Sequence, residues 1–224
     1  MATPQPATPR AVADAVARIV ERFEWTGPVG CALPAVVKDG RVRTAANISR
    51  GWLGTDACEL LRKACGRPVS AINDADAAGY AEMTFGAGRG RTGVVIMVTL
   101  GTGIGTALFV NGHLVPNTEL GHLVLRGRDA ETWAAGSVRE KNDLGWKKWS
   151  RRVDAYLHLL HAYFWPDLIN VGGGVSRKWR KFLPRLTLTT PVVPARLRND
   201  AGIIGAALAF EHQRRRVRQK RSLG

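Results

Sequence analysis

The 224-residue chain has only three cysteines, Cys31, Cys58 and Cys65, and no CxxC pair. A sparse, odd count argues against a disulfide framework and a zinc-ligand set, and it predicts a reducing, cytoplasmic setting. No apolar run approaches the roughly 20 residues needed to span a bilayer. Met1 to Arg10 is polar and proline-rich, unlike a secretory leader, so no membrane partner is expected. Also absent are a P-loop Gly-Lys-Ser/Thr, a G-x-G-x-x-G that opens a helix, and any repeat at solenoid periods. Zinc-finger and RNP signatures are missing too, so no specific nucleic-acid partner is expected. Acidic residues are few: 18 stand against 33 basic ones, a formal net charge of +15. Six of the basic residues fall between Arg214 and Arg221, which leaves +9 on the rest of the chain. Such an excess attracts polyanions, or simply solvates the surface.

Against these absences, one stretch dominates. Val94 to Val98 is an unbroken, β-branched apolar run, the composition of a strand buried on both faces. It runs into Thr99 and then Gly101, Thr102, Gly103 and Gly105. Glycines let a ligand approach the main chain, bare N–H groups in such a turn make an anion-binding concavity, and the two threonines add hydroxyl donors. A second strand follows from Ala107 and turns at Asn111–Gly112. The same stretch read alone is also an ordinary glycine hairpin.

The remaining pattern alternates helices and strands. Thr8–Pro9 starts a helix reaching about Phe23. Gly27 to Leu33 reads as a strand, and residues 36–42 as a hairpin turning at Asp39–Gly40. Thr55 caps a helix to about Cys65, and Val69 to Ile72 is a short strand. A helix over 75–85 is followed by a glycine–arginine linker, 86–93, which reads as a domain boundary. Helices are predicted over 129–141 and 143–165, a buried strand over 167–171, and a glycine segment, Gly172 to Gly174, opening another helix. Strand, glycines and helix make a second place for phosphate on backbone donors. Pro191 to Pro194 is a last strand and 199–210 an alanine-rich helix.

Several polar residues stand out. Asn73 and Asp74 lie where a strand ends and a helix begins, so Asp74 is placed either for chemistry or as a helix cap; the helix dipole should favour its ionised form. Glu119 and His122 flank Gly121 and can hydrogen-bond a polyol, or be two exposed loop residues. Lys147, Lys148, Arg151 and Arg152 interleave with Trp146 and Trp149. That pattern serves a polyanion, or marks a helix with tryptophans inward and charges outward. His158 and His161, one turn apart, read as helix packing. No spacing suggests a metal cage.

In order, Arg43–Thr–Ala–Ala–Asn47, Ile72–Asn–Asp–Ala–Asp76, Leu100–Gly–Thr–Gly–Ile–Gly105, Pro116–Asn–Thr–Glu–Leu–Gly–His122, Gly172–Gly–Gly–Val–Ser176 and Thr190–Pro–Val–Val–Pro194 resemble the polyphosphate glucokinases. These are a branch of the ROK sugar kinases, and the likeness covers about residues 3–210. The resemblance implies an α/β, two-lobed actin-like ATPase fold. Residues 1–91, completed by a helix at 200–212, would form the small lobe, 92–199 the large lobe and 213–224 a basic tail. It implies transfer of a terminal phosphoryl group from polyphosphate or ATP to the 6-hydroxyl of glucose, with Mg²⁺, in a homodimer. Asp74 would be the base. Asn47, Asn73, Glu119, His122 and Glu131 would bind the sugar. Thr99, Gly101, Thr102, Gly103 and Gly172 to Gly174 would hold phosphate, and Lys147, Lys148, Arg151 and Arg152 the polymer. Two features depart from the family pattern. The opening Asp-x-Gly-Gly-Ser/Thr hairpin has no counterpart, so the first lobe reads as N-terminally truncated; a catalytically impaired sugar or polyanion binder is the alternative. Ala35 stands where the family favours glycine, which predicts strain.

Overall fold

The computed structural model describes residues 3–46 and 48–222, with side chains as far as Glu211. Asn47 and the side chains of the basic tail therefore lie outside the described residues. The chain forms two compact units, Met1–Ala78 with Gly202–Gly224, and Gly79–Ala201.

In the first unit Thr8 caps α1 (Pro9–Arg22) as predicted: its hydroxyl accepts the Ala11 N–H at 3.2 Å. Then come β1 (Val29–Leu33) and a hairpin of β2 (Val37–Lys38) and β3 (Arg41–Val42). The hairpin turns through Asp39 and Gly40 at φ 52° and 77°, the left-handed pair that an Asp-Gly turn provides. α2 (Ala57–Cys65) is capped by Asp56, whose Oδ1 accepts the Glu59 N–H at 2.9 Å. Thr55, the predicted cap, instead donates its hydroxyl to the Gly51 carbonyl. β4 (Val69–Asn73) pairs in parallel with β1, Leu33 opposite Asn73, and leads directly into α3 (Asp74–Phe85).

Trp52, Val42 and Leu33 are buried in a small core together with Ala35. Ala35 has no positive φ and is 4% exposed. The strain expected from the family's glycine preference is absent, because the alanine methyl fills core space without a left-handed backbone.

The second unit is built on a mixed sheet. β5 (Val94–Leu100) and β6 (Ile104–Val110) form an antiparallel pair joined by the glycine turn, Leu100 opposite Ile104. A further turn at Asn111 and Gly112, φ 50° and 79°, returns the chain as β7 (His113–Val115). The predicted helix over 129–141 is not one helix. Its start belongs to a hairpin of β8 (Val124–Leu125) and β9 (Arg128–Asp129), turning at Arg126–Gly127. Two short helices follow, α4 (Glu131–Ala134) and α5 (Gly136–Lys141), broken at Ala135, whose ψ of 156° is extended. α6 (Trp146–Phe164) follows, then β10 (Leu168–Gly172), β11 (Val192–Pro194) and α7 (Asp200–Ser222). The sheet order is β11-β10-β5-β6-β7, with β10 parallel to both β5 and β11.

α6 buries Trp149, Val153, Tyr156, Leu157 and Leu160, the one-sided stripe of a 3.6-residue period. They pack with Ile96, Val98 and Leu100 of β5 and Ile169 and Val171 of β10. Trp149 donates its indole N–H to the Ala134 carbonyl at 3.1 Å, so the inward-tryptophan reading holds for it. Trp146 is half-buried, stacked on Phe182 and covered by the Arg139 guanidinium 4.3 Å from its ring. His158 and His161 pack as expected, hydrogen-bonded to the hydroxyls of Thr187 and Thr190 at 2.9 and 2.7 Å.

One buried charge ties this unit together. Glu82, on α3, is 1% exposed. Its Oε1 accepts the N–H groups of Arg196 and Leu197 at 2.8 and 2.7 Å. Its Oε2 accepts Ala87 N–H at 2.8 Å and Asn170 Nδ2 at 3.2 Å. A buried carboxylate is tolerable only when its lone pairs are met in this way.

α7 runs past the predicted end at 210 and into the basic tail. It packs closely in the first unit: a Cβ at Gly30 would lie 2.0 Å from the Ala206 carbonyl oxygen, and one at Gly205 would lie 1.6 Å from that of Ala77. No helix among the described residues is long and apolar enough to cross a membrane.

Candidate active site

The candidate residues fall into one group in each unit. In the first unit the junction of β4 and α3 presents Asp74. The cap of α3 is Asn73, whose Oδ1 accepts the N–H groups of Ala75 and Asp76 at 2.8 and 3.1 Å. Its Nδ2 donates to the Ala35 carbonyl at 3.2 Å, so the side chain is locked in place. Asp74 is thereby relieved of capping and stands at the first helical position, where its Oδ1 also receives the Ala75 N–H at 2.8 Å. By surface area Asp74 is exposed, yet enough protein surrounds its carboxyl for burial to lift the pKa above the ordinary carboxylate value. The N–H groups of Ala75 and Asp74 pull it down, but less strongly. The helix start therefore does not keep this acid unusually ionised, as the dipole argument expected. Desolvation outweighs it, and the group becomes a stronger proton acceptor.

In the second unit, parallel pairing of β5 with β10 brings the two glycine segments side by side, Thr99 opposite Gly172. Gly173 has φ 80°, and a Cβ there would lie 2.5 Å from the Leu100 carbonyl oxygen. Only glycine fits this crossing of the segments. A helix does follow, as predicted; it is a 3₁₀ helix, Gly174–Lys181, broken at Lys178. Its first turn closes with the Ser176 N–H on the Gly173 carbonyl at 3.1 Å.

The turn between β5 and β6 is braced from two sides. Ser137 donates its N–H to the Gly101 carbonyl at 2.9 Å and its hydroxyl to that of Thr102 at 2.6 Å. Glu131 Oε2 accepts the Ile104 N–H at 2.8 Å, an approach open only because Gly103 lacks a Cβ. The loop carrying Glu119 and His122 is fastened to β6, where Thr106 Oγ1 accepts the Leu120 N–H at 3.1 Å and donates to the Thr118 carbonyl. Glu119, His122, Glu131 and the glycine turn are therefore joined through β6.

His122 has a partner that the sequence reading missed. Asp129 Oδ2 lies 2.9 Å from His122 Nδ1, whereas Glu119 Oε2 is 3.7 Å from Nε2. A carboxylate only accepts, so Nδ1 carries the hydrogen and neutral His122 offers Nε2 as an acceptor. The Asp129 hydrogen bond raises the His122 pKa above its ordinary value, with smaller contributions from Glu131 and Glu119 and some opposition from burial. The pair stabilises the fold below the unfolded histidine pKa and is lost as pH rises through the folded one. Asp129→Asn should lower the His122 pKa more than Glu119→Ala does, as read by NMR titration of the imidazole. An unmoved titration in Asp129→Asn would mean that the contact is not made in solution. The Arg126–Gly127 turn was the available signal for Asp129, since it folds β9 back on β8 and returns the acid to His122.

On α6, Lys147, Lys148 and Arg151 are exposed. Arg152 is not free in the same way: it donates to the Trp133 carbonyl at 3.0 Å and lies 5.4 Å from that ring.

The chain belongs to the ROK family, whose profile matches residues 1–138, and it has the actin-like ATPase fold of the ROK sugar kinases. It is 51% identical over 208 residues to the polyphosphate glucokinase of Mycobacterium tuberculosis, covering 92% of this chain and 78% of that one. Among solved structures, the inorganic polyphosphate/ATP-glucomannokinase of Arthrobacter sp. strain KM matches with a TM-score of 0.89 at 48% identity, over 94% of this chain and 86% of that one. A ROK glucokinase from Streptomyces griseus, solved with glucose and AMPPNP, matches with a TM-score of 0.76 at 26% identity, over 92% and 89%.

Proposed function

We propose that this chain transfers the terminal phosphoryl group of inorganic polyphosphate, or of ATP, to the 6-hydroxyl of glucose. The observation that carries this reading is Asp74 at the end of β4, beside Asn73, which takes the cap of α3; burial also raises the Asp74 pKa. The sugar oxygen attacks the terminal phosphorus, the bridging P–O bond breaks, and the shortened polymer or ADP leaves. The hydroxyl proton passes to Asp74. Such transfer depends mostly on positioning and charge stabilisation. Glu119 and His122 are read as the residues gripping sugar hydroxyls, with Glu131 holding the glycine turn in shape beside them. Asn73 acts by positioning Asp74.

Among the described residues no group of three or more His, Cys, Asp or Glu could hold a metal ion. We read Mg²⁺ as arriving on the donor phosphates, since this ion keeps its waters and needs few protein ligands. When bound, it neutralises phosphate charge. We read the chain as a cytoplasmic homodimer; its three free thiols suit a reducing compartment, and sedimentation analysis reads the oligomeric state.

The test is formation of glucose 6-phosphate from glucose with each donor. No product from either donor, with glucose still bound in calorimetry, would replace this reading with that of a sugar binder. In an active preparation, Glu119→Ala should raise the glucose KM about 5- to 150-fold, the equivalent of the roughly 1–3 kcal/mol cost of an unmet buried partner. Unchanged KM in Glu119→Ala and His122→Ala would make the pair structural.

A further inference from the structure

A cleft of about 530 Å³ in the second unit adjoins the glycine segment at Ser176, and five arginines from three separate stretches line it: Arg91, Arg177, Arg180, Arg196 and Arg198. We propose that this cleft holds the body of a long phosphate polymer, away from its reacting end; the inference rests on the kinase reading above.

All five arginines are exposed, and no carboxylate lines the cleft. None of the five has a salt bridge among the described residues. Gathering guanidinium groups without counter-charge is unfavourable unless an anion is to be met there, and a planar fork suits phosphate oxygens. The floor, Val193 to Ala195, is partly buried and mostly apolar, which concentrates the field in the opening.

The stretch that carries Arg196 and Arg198 is also held by its backbone. Glu82 holds the N–H groups of Arg196 and Leu197, and the Ala195 N–H is bound to the Val171 carbonyl at 2.9 Å. The cleft continues directly from the candidate phosphate segment: Ser176 lines it and donates its hydroxyl to the Gly173 carbonyl at 2.7 Å. A linear polyanion whose end reaches the glycines therefore has its next units led toward the arginines.

Single-stranded nucleic acid is the rival polyanion, but it binds through aromatic platforms as well as charge. Trp179, the one aromatic residue in the lining, is half-buried and already covered by the Arg180 guanidinium at 4.7 Å. That leaves charge without stacking, which favours a polymer without bases.

The experiment compares the full chain with a variant carrying Arg91→Ser, Arg177→Ser, Arg196→Ser and Arg198→Ser, and with one carrying lysine at the same four positions. The dissociation constants of long-chain polyphosphate, tripolyphosphate, ATP and a single-stranded DNA oligonucleotide are measured against salt. Each lost phosphate contact lowers the salt slope by about 0.7, so the serine variant should lose about 3 from the long-chain slope and at least about tenfold in affinity. Tripolyphosphate and ATP should change less than about twofold, and lysine should restore the slope but not all of the affinity. Thermal melts of the three proteins should coincide, because the side chains removed are exposed. An unchanged slope, equal losses for short and long chains, or wild-type binding of DNA tighter than of polyphosphate would overturn the proposal. Unchanged slopes with glucose phosphorylation intact would sink the cleft alone. Failure to make glucose 6-phosphate would sink the kinase reading and leave the binding slopes to be judged separately.

Discussion

Replacing Asp74 with Asn is expected to lower kcat for glucose phosphorylation by about 10²- to 10⁴-fold, the usual cost of removing a general base. Glucose binding should persist, since the amide keeps the shape of the side chain and Asn73 still caps α3. The pH profile makes a sharper test. Asp74 must be ionised to accept a proton, and burial raises its pKa. Activity should therefore fall, as pH is lowered, at a value above the ordinary carboxylate range, and this limb should vanish in Asp74→Asn. Stability should move the other way. A carboxyl that binds its proton more tightly in the folded state loses stability as pH rises through the window between its unfolded and folded pKa values. The uncharged amide avoids that loss, so the inactive variant should melt slightly higher at neutral pH. Near-normal kcat in Asp74→Asn would remove this residue from the role of base.

The largest effect on stability is expected at Glu82. Glu82→Ala strands the N–H groups of Ala87, Arg196 and Leu197 and the amide of Asn170. Each unmet buried donor costs about 1–3 kcal/mol; with water reaching some of them, the net loss should be about 3–5 kcal/mol. For a chain of this size that lowers the melting temperature by about 10 °C. Glu82→Gln is a useful companion. Its amide can accept on one side only and turns an N–H₂ toward two donors on the other, so it should recover about half the loss. Circular dichroism melts decide the matter: an alanine variant melting within about 2 °C of the parent would mean that the four bonds contribute little net stability.

Much of the fold was legible because its signals are local. The cap at Thr8, the Asp39–Gly40 and Asn111–Gly112 turns, the apolar run at 94–98 and the one-sided stripe of α6 each depend on residues close in sequence. The errors arose where distant contacts decide. Helical spacing over 129–141 hid a break at Ala135, where Gly136 and Ser137 turn to brace the glycine turn 35 or so residues earlier. Thr55 and Asp56 are both good caps, and spacing alone does not choose between them. At the site, the motif residues could be named from their order, but not how they are held. The Arg126–Gly127 turn that returns Asp129 to His122 was hidden under helical spacing, and nothing local tells that Asn73 would take the cap of α3. The pKa of Asp74 was misjudged because a helix start is visible in sequence and desolvation is not. The arginine cleft was illegible for the same reason: its five side chains come from three stretches, the first more than eighty residues before the other two.

Glu82 also imposes an order on synthesis. Its partners Arg196 and Leu197 lie 114 and 115 residues further along the chain. At about 5–20 residues per second, the carboxylate waits on the order of ten seconds after leaving the ribosome tunnel before those amides exist. In the first unit Gly30 waits longer still for Ala206 of the last helix. Neither core is therefore complete until the final stretch of the chain emerges. A ribosome stalled before residue 196 would present two incomplete cores at once, and chaperone binding to such stalled chains should drop sharply when the stall site is moved beyond α7.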